Sequence, residues 1–171
     1  MNILVARNDD WGIGKDGSQS IIIPDDRRRF RELTDGAAIV LGHSTLLDFP
    51  GGRPLAGRRN IILSRTRGLQ IDGAAVVHSL RDLFTLLKSC DTDSVYVIGG
   101  ASVFTLLLPY CKHALVTHIR ATPPSDTFFP NLDEDPHWAL DRKGEPRTYS
   151  GVTYSFDSYR NQALLTQMIG M

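Results

Sequence analysis

The sequence predicts an α/β domain of three layers, with a mostly parallel central sheet and an antiparallel strand near its C-terminal end. Three observations predict it. Short apolar runs rich in β-branched residues recur along the chain. Helical patterns lie between several of them. One late stretch alternates between apolar and polar positions.

The runs are NILVA (2–6), AAIVL (37–41), NIIL (60–63), AAVVH (74–78), SVYVI (94–98) and ALVTHI (114–119). Such runs suit strands buried on both faces, as in a parallel sheet. PDDRRRF (24–30) begins a helix, because Pro24 lacks only an N–H that a helix start does not use. SLRDLFTLLKS (79–89) places Leu80, Leu83, Phe84 and Leu87 at helical spacing, opened by Ser79 with Asp82 three residues on. ASVFTLLL (101–108) is a further helix, stopped by Pro109. In VTYSFDSY (152–159), Val152, Tyr154, Phe156 and Ser158 fall on one side and mostly polar residues on the other, which reads as an antiparallel strand. No linker or repeat divides the chain, so residues 1–160 are expected to form a single domain. The weakly amphipathic tail 161–171 receives no assignment or role.

The chain has 171 residues, 42% hydrophobic and 22% charged, with a formal net charge of +0. That balance favours neither nucleic acid nor an anionic membrane as partner. RRRFR (27–31) fits a solvated helix face better than a nucleic-acid contact. Cys90 and Cys111 lack metal-type spacing and read as free thiols; no metal site is expected. No apolar run approaches the ~20 residues of a membrane span. The opening MNILVARNDD lacks the basic start and long apolar stretch of a secretory signal, so a cytoplasmic location is expected.

Within SQSIIIPDDRRRF (18–30), two adjacent acids have different prospects. Asp26, Phe30 and Leu33 share one helical face, following Ile21, Ile22 and Ile23. Asp25 points about 100° away. There it can meet Arg28 and Arg29, and Arg28 can meet Glu32. A carboxylate on an apolar stripe is unfavourable unless something pairs with it. Either the chain supplies a partner for Asp26 or a ligand does.

Two strand–helix turns have features suited to phosphate. After 94–98 come Gly99 and Gly100, where backbone amides can approach a ligand closely; a simple tight turn would look the same. After 37–41 come Gly42, His43, Ser44 and Thr45, whose hydroxyls suit either a phosphate or a helix cap. Together the two turns suggest a dinucleotide at the carboxyl ends of the strands. Arg58 and Arg59 adjoin a strand, with Arg65 after its end; each suits an anionic ligand or solvent.

At this point the chain resembles the dihydrofolate reductase family, from about Ile3 to Pro130. The motifs that carry the likeness occur in order: GIGKDG (12–17), PDDRRRF (24–30), GHSTL (42–46), GRPLAGRRNIILSR (52–65), VYVIGGASVF (95–104), VTHI (116–119) and DTFFP (126–130). The resemblance implies hydride transfer from NADPH to C6 of the pterin in 7,8-dihydrofolate, with protonation of N5. It implies that Asp26 holds the pterin 2-amino group and N3, helped by Thr117. Val5 and Ile98 would offer carbonyls; Phe30, Phe49 and Leu55 would pack on the substrate; Arg58 would pair with its glutamate carboxylate. Ala6, Ile13 and Gly14 would line the nicotinamide. Gly42, His43, Ser44, Thr45, Gly99, Gly100, Ala101, Ser102 and Val103 would bind phosphates. Leu63 would help bind the cofactor, and Ser64 and Arg65 would face the adenosine 2′-phosphate. Antifolates would bind as inhibitors, and the protein would act as a monomer.

The chain departs from the family pattern at three places. Gln19, Ser20 and Ile21 stand where most members have Leu-Pro-Trp, so the indole N–H is missing. His43 replaces a common arginine and Phe104 a frequent tyrosine. Two alternatives remain open on this fold: a reductase of another pterin or of a pyrimidine, and a weakly active protein that only binds folate and NADPH. Arg58 argues against a substrate without a glutamate tail.

Overall fold

A computed structural model describes residues 1–166; the last part of the unassigned tail, 167–171, lies outside the described residues. In chain order the strands are β1 (Asn2–Arg7), β2 (Gly12–Gly14), β3 (Ala38–Gly42), β4 (Arg59–Leu63), β5 (Ala74–Val77), β6 (Val95–Gly99), β7 (His113–Ile119), β8 (Thr127–Phe128), β9 (Trp138–Arg142), β10 (Arg147–Tyr149) and β11 (Val152–Asn161). The helices are α1 (Pro24–Thr34), α2 (His43–Leu47), α3 (Leu80–Leu87) and α4 (Ala101–Leu107).

The main sheet runs in the order β10, β11, β7, β1, β6, β3, β4, β5, with β9 also paired to β11. Strands β7, β1, β6, β3, β4 and β5 are parallel; β11 enters antiparallel to β7. The predicted class therefore holds. Alternate residues of the parallel strands serve two apolar layers. Ala38, Val40, Ile61, Val95 and Val97 join one cluster with Leu83, Phe84 and Leu87 of α3 and Val103, Phe104 and Leu107 of α4. Ile39, Leu41, Ile62, Tyr96 and Ile98 face the other side, with Leu46 of α2. Helix α1 covers that second side near β7. Burial on both faces is why these strands read as continuous apolar runs.

Local chemistry sets the helix ends. Ser79 accepts the Asp82 amide, a cap that contributes about 1 kcal/mol. Neither Ser44 nor Thr45 caps α2, whose N-cap is Gly42 without a side-chain bond.

The late strand differs from expectation on its polar side. Ser155 and Asp157 are buried. Asp157 accepts the Ser155 hydroxyl and the Gly144 amide, so the polar face of β11 is covered and satisfied rather than solvated. A register shift between Ser158 and Tyr159 breaks the alternation, and β11 continues to Asn161. The start of the tail is tied down: Gln162 donates to the His137 carbonyl and Leu165 to the Pro109 carbonyl.

Two features open the sheet at its carboxyl end. The ladder between β1 and β6 consists of Asn2–Tyr96 and Ile3–Val97, and goes no further. Beyond it, Val5 of β1 and Ile98 of β6 lie past the last pair of this ladder. The small β2–β8 sheet then folds the segment after β1 across this end.

Candidate active site

Helix α1 sits with Asp26 over β7. Thr117, fully buried, donates its hydroxyl to Asp26 Oδ1 at 2.5 Å. Asp26 forms no ion pair among the described residues. A carboxylate can accept about four hydrogen bonds, and Thr117 uses one. Burial pushes the Asp26 carboxyl above the usual range; the Thr117 hydrogen bond and the Arg29 and Arg27 guanidiniums pull the other way. The acid is thus held, desolvated and still short of partners.

Its apolar surroundings differ from those expected. Ile22 is 50% exposed, so the three isoleucines do not all face the acid. Ile23 is buried with Ile119 and Tyr154, and Ile21, Ala6 and Phe156 pack on that cluster. Ile21 therefore fills apolar space where the family has a tryptophan.

Asp25 accepts from the Tyr154 hydroxyl at 2.6 Å, from Arg147 at 3.4 Å and from Arg28. Arg29, expected beside Asp25, lies under the helix instead, its Cζ 4.6 Å from the centre of the Phe156 ring. The expected Arg28–Glu32 pair is absent among the described residues, because Arg28 turns to Asp25.

The other residues expected to touch substrate begin on α1 after Asp26. Phe30 follows one turn on and is half-buried. Phe49, Leu55 and Ile98 pack on the same apolar cluster as Leu41 and Ile62. At the far end of α1, Arg58 Nε donates to Thr34 Oγ1 (3.0 Å), one terminal nitrogen to the Ala56 carbonyl (2.8 Å) and the other to the Arg31 carbonyl (3.1 Å). Three of the guanidinium's five N–H groups are used, and two remain for a ligand. Gly52–Arg58 and 71–73 enclose a hollow of about 690 Å³ beside it.

The two glycine turns stand side by side, since β3 pairs with β6 and Leu41 faces Gly99. Gly99 has φ +133°, which L side chains rarely adopt. A Cβ on Gly100 would lie 3.2 Å from Thr45 Oγ1, and one on Gly42 3.3 Å from Val103 Cγ2. The result is a floor of bare backbone, and these residues fit a dinucleotide diphosphate. Val103 is itself buried in the core, so only its main chain can face a ligand; Ala101 is half-buried and Ser102 exposed. His43 and Thr45 are half-buried and Ser44 exposed. Leu63 pairs with Gly42 across β4 and β3, which places Ser64 and exposed Arg65 next to the floor. The Ser64 hydroxyl accepts the Thr66 amide. His78, unremarked in the sequence, lies 2.8 Å from the Ser64 carbonyl.

Ala6 packs on the cluster of Ile23, Ile119 and Tyr154, Ile13 on the larger core cluster, and Gly14 pairs with Thr127 in the β2–β8 sheet of the segment after β1. Asp126 pins that segment: its Oδ2 accepts the Asp16 amide at 2.9 Å, and its own amide donates to the Gly14 carbonyl. Gln19 Nε2 is buried there without a partner. Arg29, Tyr154 and Phe156 are the site neighbours that sequence reasoning missed. Only Arg29 left a signal, its i, i+3 spacing from Asp26.

Comparison with known proteins identifies the family. The sequence model of the family described as dihydrofolate reductase matches residues 1–161. A dihydrofolate reductase of Mycobacterium tuberculosis is 38% identical over 152 residues, covering 86% of this chain and 89% of its own. One from Bacillus subtilis is 34% identical over 128 residues, covering 75% and 73%. The solved structure of dihydrofolate reductase from Enterococcus faecalis, complexed with NADP(H) and RAB-propyl, superposes with a TM-score of 0.82 at 29% identity, covering 94% of this chain and 95% of that one. The chain belongs to the dihydrofolate reductase family.

Proposed function

We propose that Asp26 is the group on which this chain's reduction of 7,8-dihydrofolate turns. The reaction is NADPH-dependent and gives tetrahydrofolate. The single observation behind the role is a desolvated carboxylate with one internal donor, Thr117.

The remaining roles complete this reading. Asp26 accepts the pterin 2-amino group and N3–H on its unused lone pairs, while Thr117 fixes its orientation. The desolvated charge strengthens both hydrogen bonds and polarises the ring toward N5 protonation. The Val5 and Ile98 carbonyls, at the end of the β1–β6 ladder, take the remaining pterin N–H groups. Phe30, Phe49 and Leu55 cover the aromatic middle of the substrate, and the two free N–H groups of Arg58 take the glutamate carboxylate. NADPH supplies the hydride that C6 receives. The glycine floor with Thr45 and Ser102 holds its diphosphate, Ser64 and Arg65 face its 2′-phosphate, and Ala6, Ile13 and Gly14 enclose its nicotinamide. Asp126 steadies the segment that excludes water there. A cytoplasmic monomer that binds antifolates and no nucleic acid completes the proposal; the neutral net charge supports it.

The test is NADPH oxidation with dihydrofolate, followed by absorbance, for the wild type and Asp26→Asn. Activity is expected in the first and a large loss in the second, worst near neutral pH. Equal rates would remove Asp26 from the mechanism.

A further inference from the structure

Arg29 is the basic side chain of α1 turned inward. Its guanidinium lies on the Phe156 ring, and Phe156 stands directly opposite Thr117 across the β11–β7 ladder. Thr117 in turn holds Asp26. Asp26 and Arg29 are three residues apart on one helix, so carboxylate, hydroxyl, aromatic ring and guanidinium are neighbours, joined by the Thr117–Asp26 hydrogen bond and the Arg29–Phe156 stack. An aromatic face can carry a guanidinium without hydrogen bonds, and Arg29 uses it so. Its Nη1 is buried with no hydrogen-bond partner, and Arg29 makes no ion pair among the described residues.

Arg29 is half-buried, and a guanidinium nitrogen shut off from water without a partner is unfavourable unless an anion lies near. The groups that face Arg29 are Asp26 on α1, Tyr96 on β6, Asp157 on β11 and Arg147 on β10. Asp157 is already compensated by Ser155, the Gly144 amide and His118 at 3.8 Å. Arg147 is a cation that reaches Asp25. The one anion left for Arg29 is Asp26. The groups that face Asp26 are Thr117 from β7 and, on its own helix, Arg29 and exposed Arg27.

We propose that Arg29 is a positioning residue of the reaction, a fixed cation that keeps Asp26 ionised in its apolar cleft without occupying the oxygens that the substrate needs. A contacting ion pair would satisfy the acid and close the site. A cation seated beyond contact on Phe156 supports the charge and leaves its lone pairs free. The inference rests on the reading of Asp26 as the substrate's anchor, and extends it to what keeps the anchor charged.

The experiment follows the Asp26 carboxyl itself, by ¹³C NMR of the full chain labelled at aspartate, with the resonance assigned by its absence from Asp26→Asn. Arg29→Met is expected to raise the titration midpoint of Asp26 by about one pH unit. Arg29→Gln should do the same, and Arg29→Lys should stay close to wild type. KM for dihydrofolate should rise in the two neutral variants with KM for NADPH unchanged. An unmoved midpoint in whichever neutral variant folds overturns the proposal. So does an equal rise in Arg29→Lys, which would assign the effect to packing. The titration needs no substrate, so its failure is distinct from a failure of Asp26 in catalysis.

Discussion

Asp25 and Asp26 leave the same turn of α1 and enter opposite environments. On the outer face, Asp25 accepts from Tyr154, Arg147 and Arg28, and the Tyr154 hydrogen bond leads in holding its carboxyl below the usual range. On the inner face, Asp26 has one hydroxyl donor, and burial holds its carboxyl above that range. Residue type and helix position are nearly the same; the orientation about the axis differs by about 100°. The outer acid fastens α1 to the β10–β11 hairpin. The inner acid is kept short of partners. A carboxylate satisfied inside the protein has little left to offer a ligand, so the two tasks need two residues.

The largest expected effect separates them in catalysis. Asp26→Asn should lower kcat/KM roughly 10²–10⁴-fold, the range for a group acting on proton and charge at the reacting centre. Asp25→Asn should change it by less than about tenfold, through the set of the helix alone. Parallel assays of the two variants check this; comparable losses would show that the outer contacts, not the inner charge, carry the activity.

A smaller effect tests how far the inner face extends. Arg58 braces the other end of α1 through Thr34 and the Arg31 carbonyl. Arg58→Leu should raise KM for dihydrofolate roughly 10- to 100-fold, the value of a hydrogen-bonded charge pair, with KM for NADPH unchanged. A parallel rise in both constants would make Arg58 a brace only.

How much of this was legible in the sequence follows from the range of each interaction. The central strands were legible because burial on both faces leaves an unbroken β-branched record, as in Ile39 and Val40, both fully buried on opposite sides. Strands β2, β8 and β10 span two or three residues and leave no period to read. The β11 polar face misled because alternation shows which residues share a side but not whether that side meets water. Asp26 was legible because helical spacing put it on an apolar stripe. Its contrast with Asp25 was only half legible, since Tyr154 lies 129 residues from Asp25 and nothing local announces it. Arg29 was assigned to the wrong acid. Spacing allows i, i+3 and i, i+4 equally, and Phe156 decides between them.

The smallest effect is on stability, and its sign should reverse between the two acids. The folded Asp26 carboxyl titrates above the unfolded one. Between those values the folded chain binds more protons, so its stability falls as pH rises through the window and stays lower above it. Asp25 behaves inversely. Its contribution is full above the unfolded carboxyl value and is lost as pH falls through the depressed folded one. At neutral pH, thermal melts should therefore show Asp26→Asn gaining Tm, stability traded against activity, and Asp25→Asn losing it. As pH falls, the Asp26→Asn difference should close first, once the raised Asp26 carboxyl and its unfolded counterpart are both protonated, and the Asp25→Asn difference only below the depressed Asp25 value. Shifts of the same sign at neutral pH would mean that burial does not tax the inner acid, and the two faces of the turn would then differ in geometry alone.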